Sequence, residues 1–172
     1  MMNEQLSGEE REALLIKLWM SHDARWFAAS AMELGMETAN RLNQTAIHEA
    51  AKREAPRLVR ALQMSPVRNR DEFVAAQEAF IGFLGPDLLD YEFESVGDDS
   101  CDLKVKRCFA FDQVTKAGVA QQYDCGIFPR ITGWLEGLEL DYELSPPIGP
   151  CLMAAGKDCA YRLTVKPSAA DG

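Results

Sequence analysis

The stretch "LLDYEFESVGDDSCDLKVKRCF" constrains the fold more than any other part of this chain. Leu89, Tyr91 and Phe93 alternate with Asp90, Glu92 and Glu94, the period of a strand with one face buried. After the turn signal Gly97-Asp98-Asp99-Ser100, Leu103 and Val105 alternate with Lys104 and Lys106. Two such runs joined by a short polar turn predict an antiparallel hairpin. A hairpin cannot bury its apolar face alone, so other elements must cover it. The candidates come before it, because residues 8–85 carry helical rather than alternating periodicity.

Three helices are expected in that first half. The first runs over 8–35, with Ser7 as N-cap, Glu10 completing a capping box and Gly35 as the stop. The second runs from Glu37 toward Leu62, with Ala39, Leu42, Ala46, Ile47, Ala50 and Ala51 on its packing side and Pro56 kinking or dividing it. The third covers Asp71 to Gly85. Beyond the hairpin, a short helix is expected over "DQVTKAGVA" and a further one over "FPRITGWLEGLEL", where Pro129 suits the first turn. Two strands near 150–154 and 158–166 complete the pattern, leaving 167–172 as a tail. Helices followed by strands with an inserted helix predict an α+β fold, a helical part at 1–85 and a sheet part at 86–166 of one domain.

The net charge of −9 argues against nucleic acid as the main partner, despite basic residues in "KREAPRLVRAL" and "SPVRNRDEF". No apolar run approaches the roughly 20 residues of a membrane span, and the polar, acidic "MMNEQLSGEEREALL" does not read as a secretory signal. A cytoplasmic setting is the expectation. In that reducing compartment five cysteines do not read as a disulfide framework.

Three of those cysteines raise a chemical question. Cys125 precedes a helix, where unpaired backbone N–H groups favour a thiolate. Cys151 and Cys159 flank the turn at Gly156 and are expected on adjacent strands. From the residues alone they are packed core groups, a redox device or three corners of a zinc cage. The segment Cys125 to Tyr161, with Gly133-Trp134-Leu135 and the Cys/Gly/Cys end, resembles the 4-vinyl-reductase-type domain. That resemblance implies a typically dimeric α+β domain enclosing a small-molecule pocket, with Cys125, Cys151 and Cys159 as zinc ligands. A fourth, carboxylate ligand of that family falls at Ile148 here, so the implied site is incomplete. Water, substrate, Cys108, His22 or Asp23 would have to complete it. The stretch "LWMSHDARWFAASAMELGMETANRLNQTAI" resembles a prokaryotic cytosolic family similar to L-2-amino-thiazoline-4-carboxylate hydrolase.

Helix one adds a polar group on an apolar face. Ile16, Trp19, Met20, Asp23, Trp26, Phe27, Ser30 and Leu34 share one broad side, with Asp23 at its centre. A carboxylate there needs a partner such as Arg41, Asn40 or Asn43, or serves a pocket as base or ligand. Three functions follow. The first is a zinc-binding domain, expected as a homodimer, that captures a small aromatic or heterocyclic molecule against Trp19, Trp26, Phe27 and Trp134. The second is a metal-dependent hydrolase assisted by Asp23 or His22, and the third an adaptor that buries a partner. Phosphate-loop, nucleophile-elbow and HExxH motifs are absent.

Overall fold

The computed structural model describes residues 6–166. The chain divides into two units, one ending at Ala39 and one beginning at Asn40. The tail expected at 167–172 lies outside the described residues.

The first unit is dominated by α1 (Gly8–Leu34). It starts where the sequence placed it. The Ser7 hydroxyl accepts from the Glu10 backbone N–H, and the Glu10 carboxylate accepts from the Ser7 N–H at 2.8 Å. Gly35 ends the helix at φ 82°, a left-handed position that glycine occupies without strain. None of the residues of α1 is buried. Trp26 is 68% exposed, and Leu14, Leu15, Leu18 and Trp19 are exposed as well. The half-buried positions are Ile16, Met20, Asp23, Phe27, Ser30 and Ala31.

The second unit holds the core. Helix α2 (Met36–Ala61) enters it at Asn40 and runs unbroken through Pro56. Its covered face matches the expected one in part: Ala39 and Ala51 are buried and Ile47 half-buried, but Leu42, Ala46 and Ala50 are exposed, and Ala55 and Leu58 are buried in addition. Helix α3 (Arg70–Leu84) is capped by the Asn69 side chain accepting from the Glu72 N–H. The hairpin forms as β1 (Leu89–Ser95) and β2 (Ser100–Cys108), paired antiparallel with a bulge between Asp90 and Tyr91. A short helix α4 (Phe109–Lys116) follows, starting three residues earlier than the sequence suggested. Helix α5 (Ile127–Gly137) and strands β3 (Tyr142–Ser145) and β4 (Cys159–Val165) complete the fold. All three strand contacts are antiparallel, in the order β1-β2-β4-β3. The architecture is α+β, with helices on an antiparallel sheet.

One strand expectation is overturned. Pro150 makes only an isolated antiparallel bridge, with Asp124, residues 152–156 form a turn, and the strand preceding β4 is Tyr142–Ser145. The N–H groups of Ala155, Gly156 and Lys157 bond back to the carbonyls of Cys151, Met153 and Leu152, so the segment curls instead of extending.

Helix α5 is the centre of this unit. Phe128, Ile131, Trp134 and Leu135 are buried, and Phe128 stacks on Tyr161 of β4 with ring centroids 3.7 Å apart. Trp134 meets Phe80 of α3 edge to face at 5.3 Å. Against α2 the approach is so close that a Cβ at Gly133 would lie 2.5 Å from the His48 carbonyl oxygen and 2.7 Å from the Ala51 Cβ. Gly137, one turn on, meets the Lys52 carbonyl in the same way. The Arg130 guanidinium crosses this seam and donates from Nη1 to both Glu54 oxygens, at 2.8 and 2.7 Å.

Candidate functional site

Four thiols converge on one recess in the second unit, brought there by three different pieces of local structure. The first is a small antiparallel bridge between Asp124 and Pro150. The Cys125 N–H donates to the Gly149 carbonyl at 2.8 Å and the Cys151 N–H to the Tyr123 carbonyl at 3.0 Å. Residues on either side of a bridged pair point to one face. Tyr123, Cys125 and Cys151 therefore share a face, and all three line the recess. The second piece is the β2–β4 register, which sets Cys159 opposite Val105. The third is the end of β2, where Cys108 is the N-cap of α4.

Phe111, Phe128 and Tyr161 supply aromatic wall, and the turn carrying Leu152 and Met153 covers one side. The lining is almost wholly apolar. As the chain stands the recess has a cavity volume of about 20 Å3, room on the scale of one water molecule. Cys125 is buried, whereas Cys151 and Cys159 are half-buried.

Burial favours the protonated form of three of these thiols, Cys108, Cys125 and Cys159. Burial pushes Cys125 up to about 11, against the opposing pull of the Phe128 and Ile127 N–H groups at the start of α5. Burial, then the neighbouring Cys125, Cys108 and Cys151, carry Cys159 up to about 12. Cys108 is raised for the same leading reason, with the Phe111 and Ala110 N–H groups acting against it. Tyr161 is also raised, first by burial and then by Cys125.

The zinc expectation is corrected by this geometry. Cys125, Cys151 and Cys159 do approach a common space, but sharing the wall of a recess is not a tetrahedral cage. Among the described residues no group of three or more His, Cys, Asp or Glu is placed to hold a metal ion.

The other candidates fall elsewhere. Asp23 and His22 are on α1 in the first unit, His22 exposed and Asp23 half-buried. Trp19 and Trp26 are exposed on the same helix, and Phe27 is half-buried. Trp134 is buried in the second unit, where its Nε1 donates to Glu54 Oε2 at 3.3 Å, outside the recess lining. The recess walls Val105, Phe111, Tyr123, Phe128 and Tyr161 were not singled out from the sequence as site residues. Their one legible signal was inward phase: Val105 belongs to the inward set of the alternating hairpin, and Tyr123 lies two residues before Cys125.

No family model and no curated protein matches this chain. Its fold is similar to that of subunit 3 of a trafficking protein particle complex from Naegleria fowleri, a protein solved covalently bound to palmitic acid. The likeness has a TM-score of 0.54 at 14% identity, over 91% of this chain and 95% of that one. This corrects both family resemblances drawn from the sequence, to the 4-vinyl-reductase-type domain and to the thiazoline-carboxylate hydrolases. With them goes the hydrolase reading of Asp23 and His22. Three cysteines and a Gly-Trp-Leu segment leave too much of the chain unconstrained to define a family. No helix among the described residues is long and apolar enough to cross a membrane. What the comparison establishes is the fold.

Proposed function

We propose that the second unit takes up a small apolar molecule, of the acyl-chain kind, in the thiol-lined recess. The observation that carries this reading is the recess itself: a concave, nearly all-apolar space between β2, β4, the start of α5 and the 151–157 turn. A protein of similar fold that holds palmitic acid supports the class of ligand. The strands and α5 are fixed by the core, so entry of an acyl chain into this narrow recess requires the turn to give way. It is half-exposed in part, and Gly156 at φ 69° gives it a residue suited to a sharp bend. Apolar burial drives entry, at about 25 cal/mol per Å2 removed from water.

Native mass spectrometry after incubation with octanoic or palmitic acid tests this directly. One bound molecule per chain is expected, together with slower alkylation of Cys151, which lines the recess and stays half-exposed. Cys151→Trp places bulk at the half-exposed wall of the recess and should abolish the bound mass, with circular dichroism checking that the fold persists. Equal binding by this variant, or no bound mass in the parent chain, would sink the reading.

A second reading, a subunit of a protein assembly, is favoured by a different observation. The exposed apolar side of α1 is wider than a solvated helix needs.

A further inference from the structure

The last turns of α2 carry charges that the chain itself does not use. From Ala50 to the end of the helix the exposed positions are Ala50, Arg53, Pro56, Arg57, Arg60 and Ala61. Every charged residue among them is arginine, in a chain whose net charge is −9. The spacing i, i+4 and i+7 puts the three guanidinium groups on one stripe, where like charges repel and weaken a helix. Among the described residues nothing offsets that repulsion, because Arg53, Arg57 and Arg60 have no ion-pair partner. The two neighbouring carboxylates are engaged elsewhere, Glu54 by Arg130 at 2.7 Å and Glu49 at 3.6 Å from the His48 ring. The arginines do not close the helix either. The carbonyls of Leu58, Val59 and Arg60 accept from the backbone N–H groups of Leu62, Met64 and Gln63. Only Arg60 lies in the last turn, where the helix dipole favours a cation.

We infer that this stripe seats an acidic helix of a partner protein, whose carboxylates at i, i+4 and i+7 meet the three arginines. The inference is independent of the recess and its ligand. Charge complementarity sets the sign of the partner, and the planar fork of each guanidinium matches a carboxylate. Spacing sets its form. Along α2 the arginines are about 6 and 4.5 Å apart, a rise that a second helix repeats with the same three positions. An extended strand instead repeats one face every ~6.8 Å and falls out of step. The short side chains of Ala50 and Ala61 leave room for the partner's backbone to approach. A lipid surface would need aromatic or long aliphatic anchors beside the charges, and the exposed apolar residues there are Ala50, Pro56 and Ala61. Nucleic acid is opposed by the net charge of the whole chain. Charges at such a seam contribute encounter rate and register more than raw affinity.

An NMR titration of the full chain tests this, with an alanine-based helical peptide of about 21 residues carrying glutamate at i, i+4 and i+7 as the probe. Amide shifts centred on residues 50–61 are expected, with a Kd of about 1 mM at low salt. Raising salt from about 20 to about 200 mM should weaken binding by about tenfold. Arg57→Glu should also weaken it by about tenfold, with circular dichroism unchanged because the residue is exposed. Arg25→Glu makes the same change in net charge on α1 and should alter binding by less than about twofold. A peptide with its glutamates moved to i, i+2 and i+5 should bind about fivefold more weakly, because they no longer share a face. No shift in α2 at about 5 mM peptide overturns the proposal. Equal losses from the two reversals, or equal binding of the respaced peptide, overturn it as well. So does sedimentation of the chain with vesicles containing phosphatidylserine that Arg57→Glu abolishes, which would give the stripe to a lipid surface.

Discussion

Helices α1 and α5 each carry tryptophan among aliphatic residues, and they place it in opposite environments. Trp134 of α5 is 2% exposed, ringed by Phe80 and the Glu54 carboxylate, while Trp26 of α1 is 68% exposed. The difference lies in what the neighbouring residues permit. Helix α5 has Gly133 and Gly137 one turn apart, so the α2 backbone can approach to contact distance. Helix α1 has no such glycine pair and presents Leu15, Leu18, Trp26 and Met32 outward. Apolar content alone therefore does not decide burial; a partner surface shaped for the helix does.

The sharpest way to break this comparison is to truncate both tryptophans. Trp134→Ala removes a fully enclosed side chain and should cost about 4 kcal/mol of unfolding free energy. Trp26→Ala should cost within about 0.5 kcal/mol when measured at concentrations where the chain is monomeric. Urea melts of the two variants read both numbers. Equal losses would mean that Trp26 is covered within the monomer.

A second contrast uses glycine. Gly133→Ala drives a methyl group into the His48 carbonyl and the Ala51 side chain and should cost about 2–3 kcal/mol through overpacking. Gly82, in the last turn of α3, has nothing within 4 Å of its missing Cβ. There the same substitution should stabilise by about 0.5 kcal/mol, because alanine is the better helix former. Thermal melts that move in the same direction for both would contradict the close seam between α2 and α5.

These contrasts also show which features could be read from the residues. The start of α1 was legible because Ser7 and Glu10 complete each other within one turn. The β1–β2 hairpin was legible because its alternation is local and its turn residues lie between the two runs. Strand β3 was not. Tyr142 and Leu144 do alternate, but four residues before Pro146 and Pro147 are a weak signal, and only pairing with β4 makes them a strand. The apolar run at 150–154 looked more strand-like, yet the Cys151 N–H is committed to Tyr123 and the rest folds back on itself. On the site, spacing brought attention to Cys125, Cys151 and Cys159, but it carried no measure of how far each is buried. Periodicity placed Asp23, Trp26 and Phe27 on one broad side of α1, and it could not say whether anything covers that side.

Between the buried and exposed extremes stands the Glu54–Arg130 pair, with side chains 25% and 19% exposed. Glu54 answers two bonds from Arg130 Nη1 and one from Trp134 Nε1. Glu54→Gln leaves a largely enclosed guanidinium without its carboxylate and should cost about 2 kcal/mol. An intermediate value would mark the α2–α5 seam as graded in polarity. A loss below about 0.5 kcal/mol would place the pair with ordinary surface ion pairs.

The smallest effect is expected at the outer edge of the same seam, where α5 meets α2 through Glu136. Its carboxylate contacts Lys52 Nζ at 3.0 Å and His48 Nε2 at 3.0 Å. Burial acts to raise this carboxyl, but the Lys52 hydrogen bond and then the His48 ring outweigh it, and the net pKa is below the usual carboxylate range. A depressed folded-state pKa adds stability that is fully present above the unfolded value of about 4.5 and disappears as pH falls through the folded value. Glu136 is 37% exposed and Lys52 38% exposed, so solvent screening leaves this gain at about 0.5 kcal/mol or less. Glu136→Gln should therefore lower stability slightly at pH 7 and converge with the parent chain in acid below that window. Denaturant melts at pH 7 and pH 3 measure the two differences. A gap that stays constant with pH would mean the side chain holds the seam by packing rather than by charge, as the exposed residues of α1 do not.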